Sequence, residues 1–226
     1  MENLVIGIEG YVGAGKTAIC KELLNQIPNS ILLQGGNLYR GIAYALLRSG
    51  ANIEELKQNM KQTDIKQIME KLKIQIAIEN RDTVIYMDGK KIEEELLQST
   101  ASSLAVSEIS NVADNQNFYL FGRKIIEQFK EKFNVIVSGR DLMKIYPDLD
   151  YHFLVTASLE ERVRRKCIKY SDTISEEEVK QNIMQRDKVQ EQSGYYQKYE
   201  NTIVVDVTDC KTIEDSAKEV LKHISL

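Results

Sequence analysis

With 226 residues, 42% hydrophobic and 28% charged, the chain has the composition of one globular domain with inserts, not of a disordered, fibrous or membrane-embedded protein. A net charge of −4 supplies no general basic surface, which excludes broad binding to a nucleic-acid backbone. Three scattered cysteines (Cys20, Cys167, Cys210) and two histidines exclude a disulfide framework and leave little for a zinc site, so reduced thiols are expected.

In chain order, Leu4 to Glu9 reads as a short buried strand, too short and too weakly flanked for a signal peptide. A helix is expected from Gly15 to Ile27, with Ile19, Leu23 and Leu24 on one face and Pro28-Asn29 as the stop. A second strand follows at Ser30–Leu33, then a helix over Leu38–Ser49. Ile53–Leu72 reads as one or two polar helices. The period then changes. Lys73–Ile78 and Val84–Met87 alternate around a polar turn, Glu79–Thr83, and Asp88-Gly89 makes the next turn, so a small antiparallel insert is expected inside an α/β chain.

Helices are expected again over Glu93–Val112 and Asn117–Phe133, then strands at Asn134–Ser138 and Tyr151–Val155. His152 lies in that second apolar run and reads as structural. Leu159–Lys169 and Ser175–Gln192 are helical in pattern, Thr202–Asp206 is a last strand, and Thr212–Ile224 a last helix. The acidic runs at Glu93–Glu95 and Glu176–Glu178 fall in first turns, where they suit the helix dipole. Five apolar strands alternating with helices predict a three-layer α/β domain on a five-stranded parallel sheet. No stretch approaches the ~18 apolar residues of a membrane span, and a cytoplasmic protein with no membrane or nucleic-acid partner is expected.

One motif carries chemistry unaided. Gly10-Tyr11-Val12-Gly13-Ala14-Gly15-Lys16-Thr17 fulfils G-x-x-x-x-G-K-[ST] between a strand and a helix, the context of a P-loop. Glycines let the backbone curl so that its N–H groups and the helix N-terminus cradle a β-phosphate. Lys16 reaches the β and γ oxygens, and the Thr17 hydroxyl can ligate Mg²⁺. This predicts a nucleoside triphosphate site without fixing a reaction.

Further segments add arginines at loop edges. Arg40 follows the second strand in Gly36-Asn37-Leu38-Tyr39-Arg40, Arg140 follows a strand in Gly139-Arg140-Asp141, and Arg162 and Arg165 share a helix face. Phosphoryl transfer to an anionic acceptor needs such positive charge and positioning more than a general base.

In order and spacing these segments resemble the bacterial cytidylate kinase family. The likeness runs from Glu9–Thr17 through Gly36–Arg40, the insert ending Asp88-Gly89-Lys90, Gly139-Arg140-Asp141 with Pro147-Asp148, and Phe153–Arg165, to Arg186-Asp187 and the strand through Asp206. It implies a single P-loop kinase domain over 1–226, with a monophosphate-binding insert at about 60–105 and a lid at about 160–180. It implies ATP and Mg²⁺, with a nucleoside monophosphate, CMP or dCMP first, as acceptor, and a monomer is expected. Lys16, Arg140, Arg162 and Arg165 would act on the transferred group. Gly36, Tyr39, Arg40, Ser103, Arg140, Asp141, Arg186 and Asp187 would surround the acceptor. An acceptor hydroxyl would instead require a carboxylate base, for which Glu9 or Asp141 is the candidate.

The sequence departs from the family pattern chiefly on the acceptor side. Gln34 and Gly35 stand where the family has an Asp and a Ser or Thr, and Gln190 and Ser193 where it has an Asp and an Arg. An Arg expected near Asp114 or Asn115 is missing, the segment after Asp141 is one residue shorter, and Glu9 replaces an Asp.

Overall fold

The computed structural model describes residues 2–48, 65–71, 73–97, 116–170 and 175–225. The elements run β1 (Val5–Gly10), α1 (Lys16–Gln26), β2 (Ser30–Gln34), α2 (Gly35–Arg48), α3 (Ile65–Lys71), β3 (Ile74–Glu79), β4 (Asp82–Met87), β5 (Lys90–Lys91) and α4 (Glu94–Leu97). They continue as α5 (Gln116–Lys130), β6 (Asn134–Ser138), α6 (Leu142–Ile145), β7 (Tyr151–Thr156), α7 (Leu159–Tyr170), α8 (Glu176–Gln192), β8 (Thr202–Asp206) and α9 (Ile213–Leu221).

Eight strands form one mixed sheet in the order β3-β4-β2-β6-β1-β7-β8, with β5 beside β4. The five expected parallel strands are its β2-β6-β1-β7-β8 part. The expected antiparallel insert is present and belongs to the same sheet. It adds to the β2 edge, where Leu32 pairs with Asp82 and donates its N–H to the Arg81 carbonyl at 2.8 Å. An edge strand offers unpaired backbone groups, and the hairpin takes up two of those of β2, the Leu32 N–H and, through the Thr83 hydroxyl at 3.2 Å, the Gln34 N–H.

Alternation along β1 builds the layers. Ile6 and Ile8 face one core, with Ile19 and Leu23 of α1 and Ala217 and Val220 of α9. Val5 faces the other, with Ile126 of α5 and Leu142 and Ile145 of α6. A third core joins Leu38 and Ile42 of α2 to Ile74 and Ile85 of the hairpin, seating the insert against the main domain.

Most boundaries match the sequence reading to within a residue or two. The turn expected over Glu79–Thr83 contracts to Asn80-Arg81, both at positive φ (49° and 64°), the conformation of a two-residue hairpin. Helix α2 begins at Gly35, three residues earlier than expected, and α6 was not expected at all because four residues carry no period. Of the helices expected over Ile53–Leu72 and Glu93–Val112, only α3 and α4 lie within the described residues. His152 is buried, as its apolar strand implied. The three cysteines are free thiols. No helix among the described residues is long and apolar enough to cross a membrane.

Candidate active site

The carboxyl ends of β1, β2 and β6 open into one cleft of about 930 Å³, the place where α/β sheets of this kind bind ligands. One wall is the loop between β1 and α1, residues Gly10–Thr17. Gly13 and Gly15 hold φ of 86° and 92°, which only glycine adopts cheaply. Gly10 has no room for a side chain, since a Cβ there would lie 2.7 Å from the Val155 carbonyl oxygen. The curl leaves the start of α1 without a side-chain cap, so its N–H groups face the cleft for an anion. Gly15, Lys16 and Thr17 all line it.

The Lys16 ammonium donates to the Gly139 carbonyl at 3.2 Å. Burial, and secondarily the Arg140 guanidinium, depress its pKa to about 8. A cation held under such strain is matched to an anionic ligand.

The opposite wall carries the positive charge that sequence assigned to an acceptor. Gly36, Tyr39 and Arg40 from α2, Arg140 and Asp141 after β6, and Arg186 from α8 all line the same cleft. Burial first, then Arg140 and Arg186, pull the Arg40 guanidinium below its ordinary pKa, so three arginines share one region. Asp141 adopts a left-handed φ of 53° ahead of α6, with Lys144 at 3.0 Å and the Tyr119 hydroxyl at 3.4 Å. Tyr39 is deep in the same corner, its hydroxyl pKa raised by burial and then by Tyr119 and Asp141.

The lid residues divide. Arg165 lines the cleft and lies over the P-loop, donating to Ala14 at 3.2 Å and Val207 at 2.7 Å, with Glu161 at 2.7 Å. Arg162 and Asp187, both expected at the bound nucleotides, are instead buried and paired with each other. Arg162 also donates to the Val12 and Ala157 carbonyls at 3.1 and 3.0 Å. These bonds engage Nε and Nη1 of Arg162. Ser103 lies outside the described residues.

Glu9, weighed as a base, is buried and accepts from the Leu142 N–H at 2.8 Å. His152 Nε2 lies 3.3 Å from the same oxygen, while its Nδ1 meets the Thr202 hydroxyl at 2.9 Å. That network ties β1 to α6 and β7 behind the site. Gln34 and Gln190 have also found partners, Asp82 at 2.7 Å and the Tyr196 hydroxyl respectively.

Sequence reasoning missed three aromatic groups. Tyr195 lies under Arg140, ring to guanidinium 5.1 Å, and Tyr119 stands beside Asp141; both line the cleft. Tyr196 stacks on Tyr11 of the P-loop at 4.1 Å between centroids. The only sequence signal for Tyr195 and Tyr196 was the Gly194-Tyr195-Tyr196 run, which has no period, and Tyr119 lies within a helix whose pattern marks no site.

A P-loop at the end of the central strand of a parallel sheet, facing an arginine-lined cleft, defines a P-loop phosphotransferase of the small-molecule kinase class. Comparisons sharpen this. The family model described as cytidylate kinase matches residues 6–226. The cytidylate kinase of Clostridioides difficile (strain 630) is 32% identical across the whole of both chains. That of Aquifex aeolicus (strain VF5) is 28% identical over 97% of this chain and 95% of its own. A solved structure of an uncharacterized protein from Eubacterium ventriosum is similar in fold, with a TM-score of 0.51 at 13% identity over 99% and 98% of the two chains. The chain belongs to the cytidylate kinase family.

Proposed function

We propose that the protein transfers the γ-phosphoryl group of ATP to CMP or dCMP, releasing ADP and CDP or dCDP. The observation that carries this reading is the single cleft that sets the P-loop against Arg40, Arg140 and Arg186. One wall suits a triphosphate and the other a monophosphate. The acceptor phosphate oxygen attacks the γ-phosphorus in line, the bond to the β,γ-bridging oxygen breaks, and ADP departs.

In this reading Gly10–Thr17 cradle the donor phosphates and Lys16 neutralises charge on the β and γ groups. Thr17 would hold a Mg²⁺ through its hydroxyl, and the metal would offset negative charge on the donor phosphates. Arg40, Arg140 and Arg186 hold the acceptor phosphate, and Gly36, Tyr39 and Asp141 its nucleoside. Arg165 serves the transferred group from the lid. An anionic acceptor needs no general base, which agrees with the engagement of Glu9 by Leu142 and His152. Every group comes from one chain, so a monomer suffices, and we place it in the cytoplasm with its nucleotides.

The test is ADP release measured with a panel of nucleoside monophosphates, with Lys16→Ala as control. Turnover on CMP or dCMP well above the others, abolished in the control, is expected. ATP binding without turnover on any monophosphate would sink the reading.

A further inference from the structure

Helix α8 faces two ways. Arg186 and Gln190, one turn apart, line the acceptor side of the cleft. Between them, Asp187 points at the P-loop and is buried. Its Oδ1 accepts the Val12 N–H at 3.3 Å, and its Oδ2 takes Arg162, which in turn donates to the Val12 carbonyl. The N–H and the C=O of one P-loop residue, on successive peptide groups, are therefore both held by one ion pair. The Val12 side chain packs with Val163 of α7 and Val179 and Ile183 of α8.

A second link runs alongside. Gln190 binds the Tyr196 hydroxyl, and the Tyr196 ring stacks on Tyr11 at 4.1 Å with the rings 21° apart. Arg162 also lies over the Tyr11 ring at 5.4 Å. Tyr196 holds a left-handed φ of 66°, a conformation a bulky residue keeps only when its surroundings fix it.

We infer that Asp187 and Tyr196 are positioning residues that couple the acceptor wall to the donor loop. A ligand drawing Arg186 and Gln190 inward shifts α8 as a unit, and the two links transmit that shift to Val12 and Tyr11. Acceptor binding thereby sets the loop that receives the β-phosphate. This rests on the proposed function, since it takes the arginine wall as the acceptor's.

Calorimetry tests it. ADP affinity is measured for the wild type, Asp187→Asn and Tyr196→Phe, each alone and with saturating CMP. Ribose 5-phosphate, the same ester without a base, serves as a second acceptor probe. In the wild type CMP should tighten ADP by at least about fivefold. Asp187→Asn should bring that ratio near one, and Tyr196→Phe should lower it. The second variant removes one hydroxyl and keeps the stack, so it carries the test if Asp187→Asn fails to fold. A merely structural role weakens ADP equally with and without CMP; an unchanged ratio in the folded variants overturns the inference. CMP that binds the wild type without altering ADP affinity overturns the coupling and leaves the acceptor reading standing. Coupling by ribose 5-phosphate with no binding of CMP sinks the cytidine reading and leaves the coupling standing. No coupling by either probe, with CMP unbound, overturns both.

Discussion

Lys16 sits in an environment opposed to its charge. Its folded pKa of about 8 lies below the ordinary 10.5 because the charged form is penalised by burial and by Arg140. For stability, that penalty is fully present below pH 8 and is relieved as pH rises from about 8 toward 10.5. Lys16→Met should therefore melt higher than the wild type at neutral pH while losing turnover, which a thermal scan beside a rate assay would check. For activity the sign is the reverse. As pH rises through 8 the free protein loses the ammonium, so kcat/KM for ATP should fall there, while kcat, set in a complex whose phosphates restore the proton, should hold to higher pH. A pH–rate profile separates the two. On the opposite wall, Arg140→Ala removes a charged contact worth about 1.5–3 kcal/mol. KM for the acceptor should rise by roughly ten- to a hundredfold with KM for ATP little changed, read from initial rates.

At the scale of elements, α8 is defined at its N-terminus by a capping box. The Ser175 hydroxyl accepts from the Glu178 N–H at 3.3 Å, and the Glu178 carboxylate takes the Ser175 N–H at 3.0 Å. Ser175→Ala should cost about 1 kcal/mol in a urea melt. Helix α7 is fastened by Glu161, whose pKa is held down to about 2 by its bonds to Arg164 and then Arg165, against some burial. That stabilisation is present above about 4.5 and is lost as pH falls toward 2. Helix α2 meets the hairpin at Gly41, where a Cβ would lie 2.6 Å from Ile85 Cδ1. Gly41→Ala should destabilise by about 1–3 kcal/mol through overpacking, again by urea melt. The hairpin itself was legible because alternation over β3 and β4 is a local signal. Its attachment to β2 was not, since the partner strand is some fifty residues away and no local pattern names it.

For the whole molecule, one sheet carries both walls of the site. Phe153 is fully buried at the centre of the core shared by α1 and α9. Phe153→Ala should cost about 3–5 kcal/mol, and since that core also seats the P-loop strand, the melting temperature and ATP affinity should fall together. The third core, around Ile42 and Ile85, is separate. Gly41→Ala lies beside it and should shift acceptor KM more than ATP KM, which distinguishes the two halves of the cleft.

The sequence by itself determined the P-loop, the strand and helix order, and the loop-edge arginines, because each is written in consecutive residues or a short period. It also placed Arg40, Arg140 and Arg186 among the acceptor residues through the family resemblance, and the fold lines one cleft with all three. Only tertiary structure decided where Arg162 and Asp187 sit. They are 25 residues apart, on different helices, and become a buried pair on the P-loop only when α7 and α8 pack. It likewise decided that Glu9 is consumed by Leu142 and His152, and that Tyr195 and Tyr196 stand under Arg140 and Tyr11. Pairings of this kind are set by burial, which favours the partners that leave no charge or hydroxyl unsatisfied, and burial depends on chain topology that no local pattern records.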